Sequence, residues 1–359
     1  MPFFEKINSG VIIVIQNQPD VSVIVPVYNG SKFLNQCLAG IFSSDYPSFE
    51  VIVVDDGSTD GSADISREKG ATVLSMPHRA GPAAARNFGV ESARGGILLF
   101  IDADVVVKPD TISKIVTRFE LQPDISAVFG SYDDAPEEKN FLSQYRNLVH
   151  HFVHQNSNSE ASTFWAGLGG VRREDFAAVG GFDCEQFAVP SIEDIELGGR
   201  LRSAGCRILL DKEIQGKHLK KWQAMSILKT DIFCRALPWS KLMLTGQGLI
   251  NDLNLKTADR FSAIFVGLSI VLFPFVFWHP VLLLLNLILL LAIFFLNRKI
   301  FRFFSKKKGF LFALQAFPWQ FLYFFYSGAT FVFCWFWYAL PLMLGFKKGE
   351  NISGPHSVN

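Results

Sequence analysis

Two aspartates one residue apart, Asp102 and Asp104, are the most chemically suggestive pair in this sequence. They lie in the stretch Ile97–Val107, I-L-L-F-I-D-A-D-V-V-V, whose apolar residues predict a buried central strand. In an extended chain the two carboxylates would point the same way, where they repel each other and are costly to desolvate. Mg²⁺ or Mn²⁺, which prefer oxygen ligands, would relieve both costs. The alternative is that the two acids only cap the strand and begin a turn.

The elements that would position these acids alternate between short apolar runs and helical patterns. This alternation predicts the α/β class, with a parallel, doubly wound sheet that binds ligands at the carboxyl ends of its strands. The predicted strands include Val21–Val27, Phe49–Val54, Ala71–Ser75, Ile97–Val107, Ala127–Tyr132 and Arg207–Leu210, and the predicted helices include Phe33–Phe42, Thr59–Lys69, Pro82–Ala93, Pro109–Leu121, Leu142–His154 and Ser191–Ser203.

Polar residues follow two further predicted strands. Tyr28 comes after the first strand, and Asp55 and Asp56 come after the second. Because a parallel sheet brings its strand ends to one edge, we expect these side chains to lie near the 102–104 pair. Arg86, in the preceding predicted helix, could balance anionic charge. Taken singly, Asp55 and Asp56 could instead form only an Asx turn, and Arg86 a surface salt bridge.

Composition sets broad limits. The chain has 359 residues, enough for two or three domains, and its formal net charge of +1 gives no net attraction to nucleic acid. The five cysteines include no C-x-x-C pair, which argues against a disulfide framework or a zinc site and favours a reducing compartment. Residues 1–20 are predicted to be an N-terminal extension without a secretory signal, because the apolar run Val11–Ile15 is too short.

The last third of the sequence is much more apolar. The stretch Phe261–Leu296 contains no Lys, Arg, Asp or Glu. We predict a membrane domain over residues 260–346, with spans at about 261–278, 280–297 and 319–344, and a tail at 347–359. Whether there are two or three spans, and so on which side the chain ends, stays open, because Gly309–Phe317 could lie on the interface or form a re-entrant hairpin. The alternative to a membrane domain is a buried core helix.

A predicted basic loop over residues 298–308 follows the first two spans. An excess of Lys and Arg marks the cytoplasmic side of a membrane. Since a hairpin of two spans returns the chain to the side it left, the domain before the spans should be cytoplasmic as well. The sequence therefore predicts an integral protein of the inner or plasma membrane.

Four motifs, in this order and spacing, carry a resemblance to a known family: V-S-V-I-V-P-V-Y-N-G, V-I-V-V-D-D-G-S-T-D-G-S, G-P-A-A-A-R-N-F-G-V and L-L-F-I-D-A-D. Together they resemble glycosyltransferase family 2 over Val21 to about Asp211. The resemblance implies the Rossmann-like GT-A fold and an inverting transferase that uses a nucleotide-diphospho sugar, usually with UDP, and Mg²⁺ or Mn²⁺.

The resemblance also implies roles for individual residues. On the donor side, it implies that Pro26 and Tyr28 line the nucleotide pocket and that Asp55 or Asp56 contacts the base. It also implies that Arg86 lies near the nucleotide, that Asp102 contacts the ribose or metal side, and that Asp104 is a metal ligand.

The segment S-I-E-D-I-E-L-G-G-R-L-R resembles the E-D motif of the same family, which implies that Asp194 is the general base with Glu193 beside it. Inversion by one in-line displacement requires a carboxylate opposite the leaving diphosphate, to take the proton of the acceptor hydroxyl. The alternative is ordinary acidity at a helix N-terminus. His218 could be a further metal or diphosphate ligand, or a structural histidine.

These observations lead to one hypothesis with two rivals. Residues 21–259 would form the GT-A domain, with a nucleotide-binding half at about 21–108 and an acceptor half at about 109–259. It would transfer a single sugar from a cytoplasmic nucleotide-diphospho sugar to a lipid-linked or membrane-embedded hydroxyl acceptor, since no Q-x-x-R-W motif of processive members follows the E-D motif. The rivals are transfer to a polyprenyl phosphate and a non-catalytic membrane scaffold.

Overall fold

The computed structural model describes residues 18–247 and 256–340. The predicted tail at 347–359 and most of the N-terminal extension lie outside the described residues. The strands are β1 (Val21–Val27), β2 (Phe49–Asp55), β3 (Thr72–Ser75), β4 (Ile97–Ile101), β5 (Val105–Val106), β6 (Ile125–Tyr132), β7 (Glu160–Ala161), β8 (Leu168–Arg172) and β9 (Arg207–His218). The helices are α1 (Ser31–Phe42), α2 (Ser62–Glu68), α3 (Pro82–Ser92), α4 (Thr111–Leu121), α5 (Phe141–Gln155), α6 (Arg173–Ala178), α7 (Glu193–Ser203), α8 (Ala224–Asp231), α9 (Leu237–Leu242), α10 (Thr257–Leu272), α11 (Val281–Leu296), α12 (Arg298–Lys308) and α13 (Phe310–Cys334).

The central sheet has the strand order β3-β2-β1-β4-β8-β6-β9-β5. The first four strands are parallel, as the alternating pattern predicts. β8 runs antiparallel to both β4 and β6, so the sheet is mixed rather than wholly parallel as predicted. Apolar side chains cover both faces of the sheet, with α1 and α4 on one side and α3 and α7 on the other.

Small residues allow α3 to lie close to the sheet. Ala83, Ala85 and Gly89 are all buried in this helix. A Cβ at Gly89 would lie 2.7 Å from a methyl group of Ile24 and 2.9 Å from one of Val54. This close approach fixes the position of Arg86, on the next turn of the same helix.

The predicted continuous strand Ile97–Val107 is wrong. β4 ends at Ile101, and a turn follows in which the Val105 amide donates to the carbonyl of Asp102 at 2.9 Å. The two residues of β5 then pair antiparallel with the end of β9. The turn gives the carboxylates of Asp102 and Asp104 different neighbours: Arg86 contacts Asp102, and His218 lies near Asp104.

The C-terminal segment is helical throughout its described part. One helix of this described part, Thr257–Phe277, is long and apolar enough to cross a membrane by itself. Only 17% of its most apolar 18-residue stretch is buried inside the protein. α11 and α12 together meet the same test, but they are bent by 67° relative to each other. The predicted basic loop is therefore wrong, because residues 298–308 form the helix α12. The third predicted span overlaps α13, which starts earlier, at Phe310.

α5 packs against this C-terminal segment. Tyr145 and Leu148 of α5 share an apolar cluster with Ile300, Phe301 and Phe304 of α12. The Tyr145 hydroxyl also donates to Gln320 Oε1 at 3.0 Å. The acceptor half and the C-terminal helices thus bury apolar surface against each other.

A buried carboxylate ties the same parts together. Asp231, at the end of α8, has a side chain that is 3% exposed. It forms an ion pair with Arg146 of α5 and accepts a hydrogen bond from the Tyr326 hydroxyl of α13 at 2.5 Å. Arg235 approaches the same carboxylate at 3.4 Å. We call Asp231 and its three partners the Asp231 hub.

Candidate active site

Arg86 joins three elements at the carboxyl edge of the sheet. Its side chain is 5% exposed and extends from α3 to the end of β4 and the start of α7. One guanidinium nitrogen donates to Asp102 Oδ1 and another to Glu193 Oε1, both at 2.8 Å. Planar, forked donation of this kind is what arginine provides and lysine does not. The nucleotide-binding half and the E-D motif are therefore connected through one side chain.

The two acids of the E-D motif have different surroundings. Both carboxylate oxygens of Glu193 are used, one by Arg86 and one by the amide of Ser191 at 3.0 Å. Asp194 accepts a hydrogen bond from the amide of Ala166 at 3.1 Å and has no cationic side chain in contact among the described residues. Burial raises the pKa of Asp194 to about 7, and the charge of Glu193 adds to this, while Arg86 opposes it. Asp194 can therefore gain or lose a proton near neutral pH.

His218 lies next to Asp104 because β5 and β9 pair. Val105 is in register with His218, and the Leu219 amide donates to the Asp104 carbonyl at 2.9 Å. His218 Nε2 and Asp104 Oδ2 are 3.6 Å apart, and the His218 side chain is 5% exposed. Tyr132, at the end of β6, stacks on the imidazole with a centroid distance of 4.2 Å and an interplanar angle of 15°. Stacking on Tyr132 therefore fixes the plane of the His218 ring, and Nε2 faces the Asp104 carboxylate.

This pair fits a divalent cation. Two ligands of one Mg²⁺, each at about 2.1 Å, lie about 3 to 4.2 Å apart, and the Asp104–His218 distance is within that range. Asp102 offers a second carboxylate, of which only Oδ1 is bonded to Arg86. No group of three His, Cys, Asp or Glu side chains converges as a metal site within residues 18–247 and 256–340. An ion would thus need oxygens from a bound diphosphate and from water, which is how Mg²⁺ is commonly held.

The pKa values of Asp102 and Asp104 are shifted in opposite directions. Burial raises the pKa of Asp102, and the charge of Asp104 adds to it, although Arg86 opposes both. Burial opposes the ionisation of Asp104 too, but His218 and Lys220 together outweigh it, so the pKa of Asp104 is lowered. Asp104 is therefore the more strongly ionised of the two, as expected for a metal ligand.

The Tyr132 hydroxyl has a raised pKa. Burial raises the pKa of Tyr132 far above its usual value, and the charges of Asp104, Asp102 and Asp194 raise it further. Tyr132 was not singled out from the sequence, although its place at the end of a predicted strand could have indicated it.

The residues expected on the nucleotide side lie along β1 and after it. Pro26 is partly buried in β1, and the Tyr28 side chain is 43% exposed. The guanidinium of Arg79 lies 4.2 Å from the centroid of the Tyr28 ring, an arrangement typical of a cation–π contact. Arg79 was not predicted, because no pattern in the sequence places residue 79 beside residue 28.

The carboxylates of Asp55 and Asp56 both accept hydrogen bonds from loop amides. The Ser58 amide, three residues on, donates to Asp55 Oδ1 at 3.0 Å. Asp56 accepts from the amides of Ala80 and Gly81, at 2.6 and 2.9 Å, so both of its oxygens are engaged. Asp55, with Oδ2 unbonded in the described part of the chain, is thus better placed than Asp56 to accept a hydrogen bond from a base.

A surface cavity of about 840 Å³ lies at the opposite edge of the sheet. It is lined by residues at the amino ends of β1 and β4, among them Asp20 and Ile97. None of the predicted site residues contributes to it. Ligands of doubly wound sheets bind at the carboxyl edge, so Asp102, Asp104 and Asp194 remain the candidate active site rather than this cavity.

Comparisons with known proteins indicate the family and the fold. The family model for glycosyl transferase family 2 matches residues 22–180. An uncharacterized glycosyltransferase of Haemophilus influenzae is 37% identical over 121 residues, which is 32% of this chain and 48% of the relative. Glycosyltransferase GlyG of Streptococcus pneumoniae is 34% identical over 117 residues, 31% of this chain and 38% of the relative. The matched segments thus span about half or less of these curated relatives.

One solved structure resembles nearly the whole chain. The mannosyltransferase PcManGT of Pyrobaculum calidifontis, in complex with GDP-Man and Mn²⁺, has a TM-score of 0.51 and 18% identity, covering 89% of this chain and 88% of that one. This likeness shows the fold. The family and the GT-A fold predicted from the four motifs are both confirmed. The match of residues 22–180 to the family model, together with the shared fold, supports a glycosyltransferase of family 2.

Proposed function

We propose that the protein is an inverting glycosyltransferase that moves one sugar from a nucleotide-diphospho sugar, with UDP as the nucleotide, to a lipid-linked or membrane-embedded hydroxyl. The observation that carries this proposal is the bridge that Arg86 forms between Asp102 and Glu193. It connects Asp194, which follows Glu193 and has a pKa of about 7, to the turn that bears the Asp104–His218 pair. A base and a metal-binding pair at one edge of the sheet are what a single in-line displacement requires.

The residues would divide the work as follows. Asp194 would take the proton of the acceptor hydroxyl as that oxygen attacks the anomeric carbon from the face opposite the diphosphate. Asp104, His218 and the second oxygen of Asp102 would hold Mg²⁺ or Mn²⁺, which when bound supplies positive charge to the leaving diphosphate. Glu193 would serve as a positioning residue, since its carboxylate is committed to Arg86.

The nucleotide would bind on the side of β1 and β2. Pro26 and Tyr28 would line its pocket, and Asp55 would accept a hydrogen bond from the base. Arg79 lies over the exposed Tyr28 ring, where its charge would favour an anionic ligand. Arg86 would act indirectly by fixing the orientation of Asp102.

The acceptor class follows from the packing of the C-terminal helices. α5 of the acceptor half buries apolar surface against α12 and α13, and the side chains of α10 and α11 are mostly exposed and apolar. Exposed apolar patches of this extent are typical of membrane contact. We propose that the chain is an integral protein of the inner or plasma membrane, with its catalytic domain on the cytoplasmic side.

Turnover of radiolabelled UDP-sugars and GDP-sugars tests the proposal, in membranes that contain the protein, Mn²⁺ and native lipid. Asp194→Ala and Asp104→Ala should each abolish transfer, whereas Asp64→Ala, on the exposed face of α2, should leave it unchanged. Full activity in either site variant would refute the assignment. Near-normal activity in Asp194→Asn would instead indicate an acceptor that is already an anion, such as a polyprenyl phosphate. Nucleotide binding without turnover would indicate a scaffold.

A further inference from the structure

α12 presents a strongly cationic face. Its apolar side, at Ile300, Phe301 and Phe304, is buried against α5 and α13, with exposed fractions of 6%, 4% and 0%. Its six basic residues are all exposed, and no acidic residue occurs between positions 298 and 314: Arg298, Lys299, Arg302, Lys306, Lys307 and Lys308. The helix thus concentrates positive charge on the surface that faces away from the protein.

Most of this charge is not neutralised by the protein. Lys307 forms an ion pair with Asp134, two residues after the site residue Tyr132 at the end of β6. None of the other five cations forms an ion pair with an acid in residues 18–247 or 256–340. The cluster therefore has both a fixed point on the acceptor half and a surplus of charge available to an anionic partner.

Apolar side chains lie next to the cations. α13 begins directly after Gly309, and its first turns expose Phe310, Leu311 and Leu314 by 72%, 72% and 59%. We call the segment Arg298–Leu314 the basic elbow. Cations beside exposed Phe and Leu are the combination found on helices that lie in the interface of anionic membranes. A nucleic acid or an acidic peptide would leave this apolar flank in water.

The bend between α11 and α12 gives the elbow a suitable direction. The two helices meet at 67°. If α11 crosses the bilayer along its normal, α12 lies closer to the membrane plane than to the normal. Its cations would then lie at the depth of the headgroups, and Phe310 and Leu311 would reach the acyl boundary.

We propose that the basic elbow is a docking surface for the headgroups of anionic phospholipids, and that it sets the acceptor half at a fixed height on the membrane. This inference rests on the proposed membrane location. The Lys307–Asp134 pair and the packing of α5 on α12 connect the elbow to Tyr132, at the active site. Anionic lipid would therefore raise the rate of transfer to a membrane acceptor without changing nucleotide binding.

The test uses the full chain in neutral detergent, titrated with phosphatidylglycerol or phosphatidylcholine and observed by native mass spectrometry. Arg302→Gln with Lys306→Gln removes two cations of the elbow. Arg67→Gln with Lys69→Gln, on the outer side of α2, is the matched control. A cation near an anionic surface contributes about fivefold to association, so the preference for phosphatidylglycerol should fall by about thirtyfold in the elbow variant and stay unchanged in the control.

Two results would overturn the proposal: equal binding of both lipids by the wild type, or an elbow variant that keeps the wild-type preference. A third would do so as well: an elbow variant in pure phosphatidylcholine nanodiscs whose acceptor KM rises, because the elbow would then bind the acceptor rather than the bilayer. Calorimetric binding of UDP-sugars by the same samples keeps the two proposals separate, since it reports on the active site whatever the lipid result.

Discussion

Replacing Arg86 with methionine should both destabilise the fold and shift the pH dependence of transfer. The substitution keeps most of the side-chain volume but leaves Glu193, 7% exposed, and Asp102 without their shared cation. Removing one partner of a buried pair costs about 3 to 5 kcal/mol. Because the Asp102 side chain is 34% exposed, water screens that half of the interaction, and we expect a loss of about 3 kcal/mol in the free energy of unfolding.

The same change acts on Asp194. The Arg86 charge lowers the pKa of this carboxyl, whose value of about 7 is set mainly by burial. Without the arginine the pKa should rise further, so a larger fraction of Asp194 is protonated at pH 7 and cannot accept a proton. The acidic limb of kcat/KM should therefore move to higher pH, and activity lost at pH 7 should be partly regained at pH 8.5.

Thermal unfolding followed by tryptophan fluorescence, together with a pH profile between 5.5 and 9, measures both effects. Arg118→Met is the control, since it breaks an ion pair to the buried Asp211 away from the site and should lower stability without moving the limb. Arg86→Lys, which keeps the charge but cannot span both acids, should have smaller effects. An Arg86→Met variant with wild-type stability and an unmoved acidic limb would refute the bridging role.

Four further predictions follow from the site and its supports. Asp194→Asn should abolish transfer yet raise the free energy of unfolding at pH 8 by on the order of 1–2 kcal/mol. A carboxyl whose pKa is raised in the folded state destabilises the protein as the pH rises toward that pKa, and asparagine removes this effect. Denaturant unfolding at pH 8, and at pH 4 where the gain should vanish, measures it. His218→Ala should raise the half-saturating Mn²⁺ concentration about tenfold or more, and an unchanged value would remove His218 from the metal site. Tyr132→Leu should raise the same constant about three- to tenfold by removing the stacked ring, whereas Tyr132→Phe should not, and equal values in the two variants would contradict the stacking role. Arg146→Met should lower the free energy of unfolding by about 3 kcal/mol by leaving Asp231 buried without its main partner, and a melting temperature within a degree of wild type would show that the pair contributes little.

The elements of the nucleotide-binding half were predictable because their signals are local. The apolar runs of β1 and β2 and the small residues of α3 carry their own periodicity, and the structure places β1 on the predicted bounds. The residues at the strand ends then follow from the topology of a parallel sheet. Local pattern together with one rule of topology thus located Tyr28, Asp55 and Asp102.

The partners of these residues were not predictable, since they depend on contacts between distant segments. The Asp104–His218 pair requires the register of β5, a strand of two residues that no window could detect. The Arg86–Glu193 ion pair joins residues that are 107 positions apart. α12 was interpreted as a loop because its basic residues hide the period of its few apolar ones, and only packing against α5 reveals that face.

The Asp231 hub determines what happens when the protein is truncated before its apolar C-terminal helices. A chain truncated before α10 would lack Tyr326 and the aromatic side chains of α12 and α13 that pack around Leu148. The Asp231 carboxylate would then lose a hydrogen-bond donor and face a cavity. The remaining fragment would expose apolar surface and aggregate, although it would contain every residue of the candidate site. Soluble versions of this enzyme should therefore be made by redesigning the outer surfaces of α10 and α11 while keeping α12 and α13 in place.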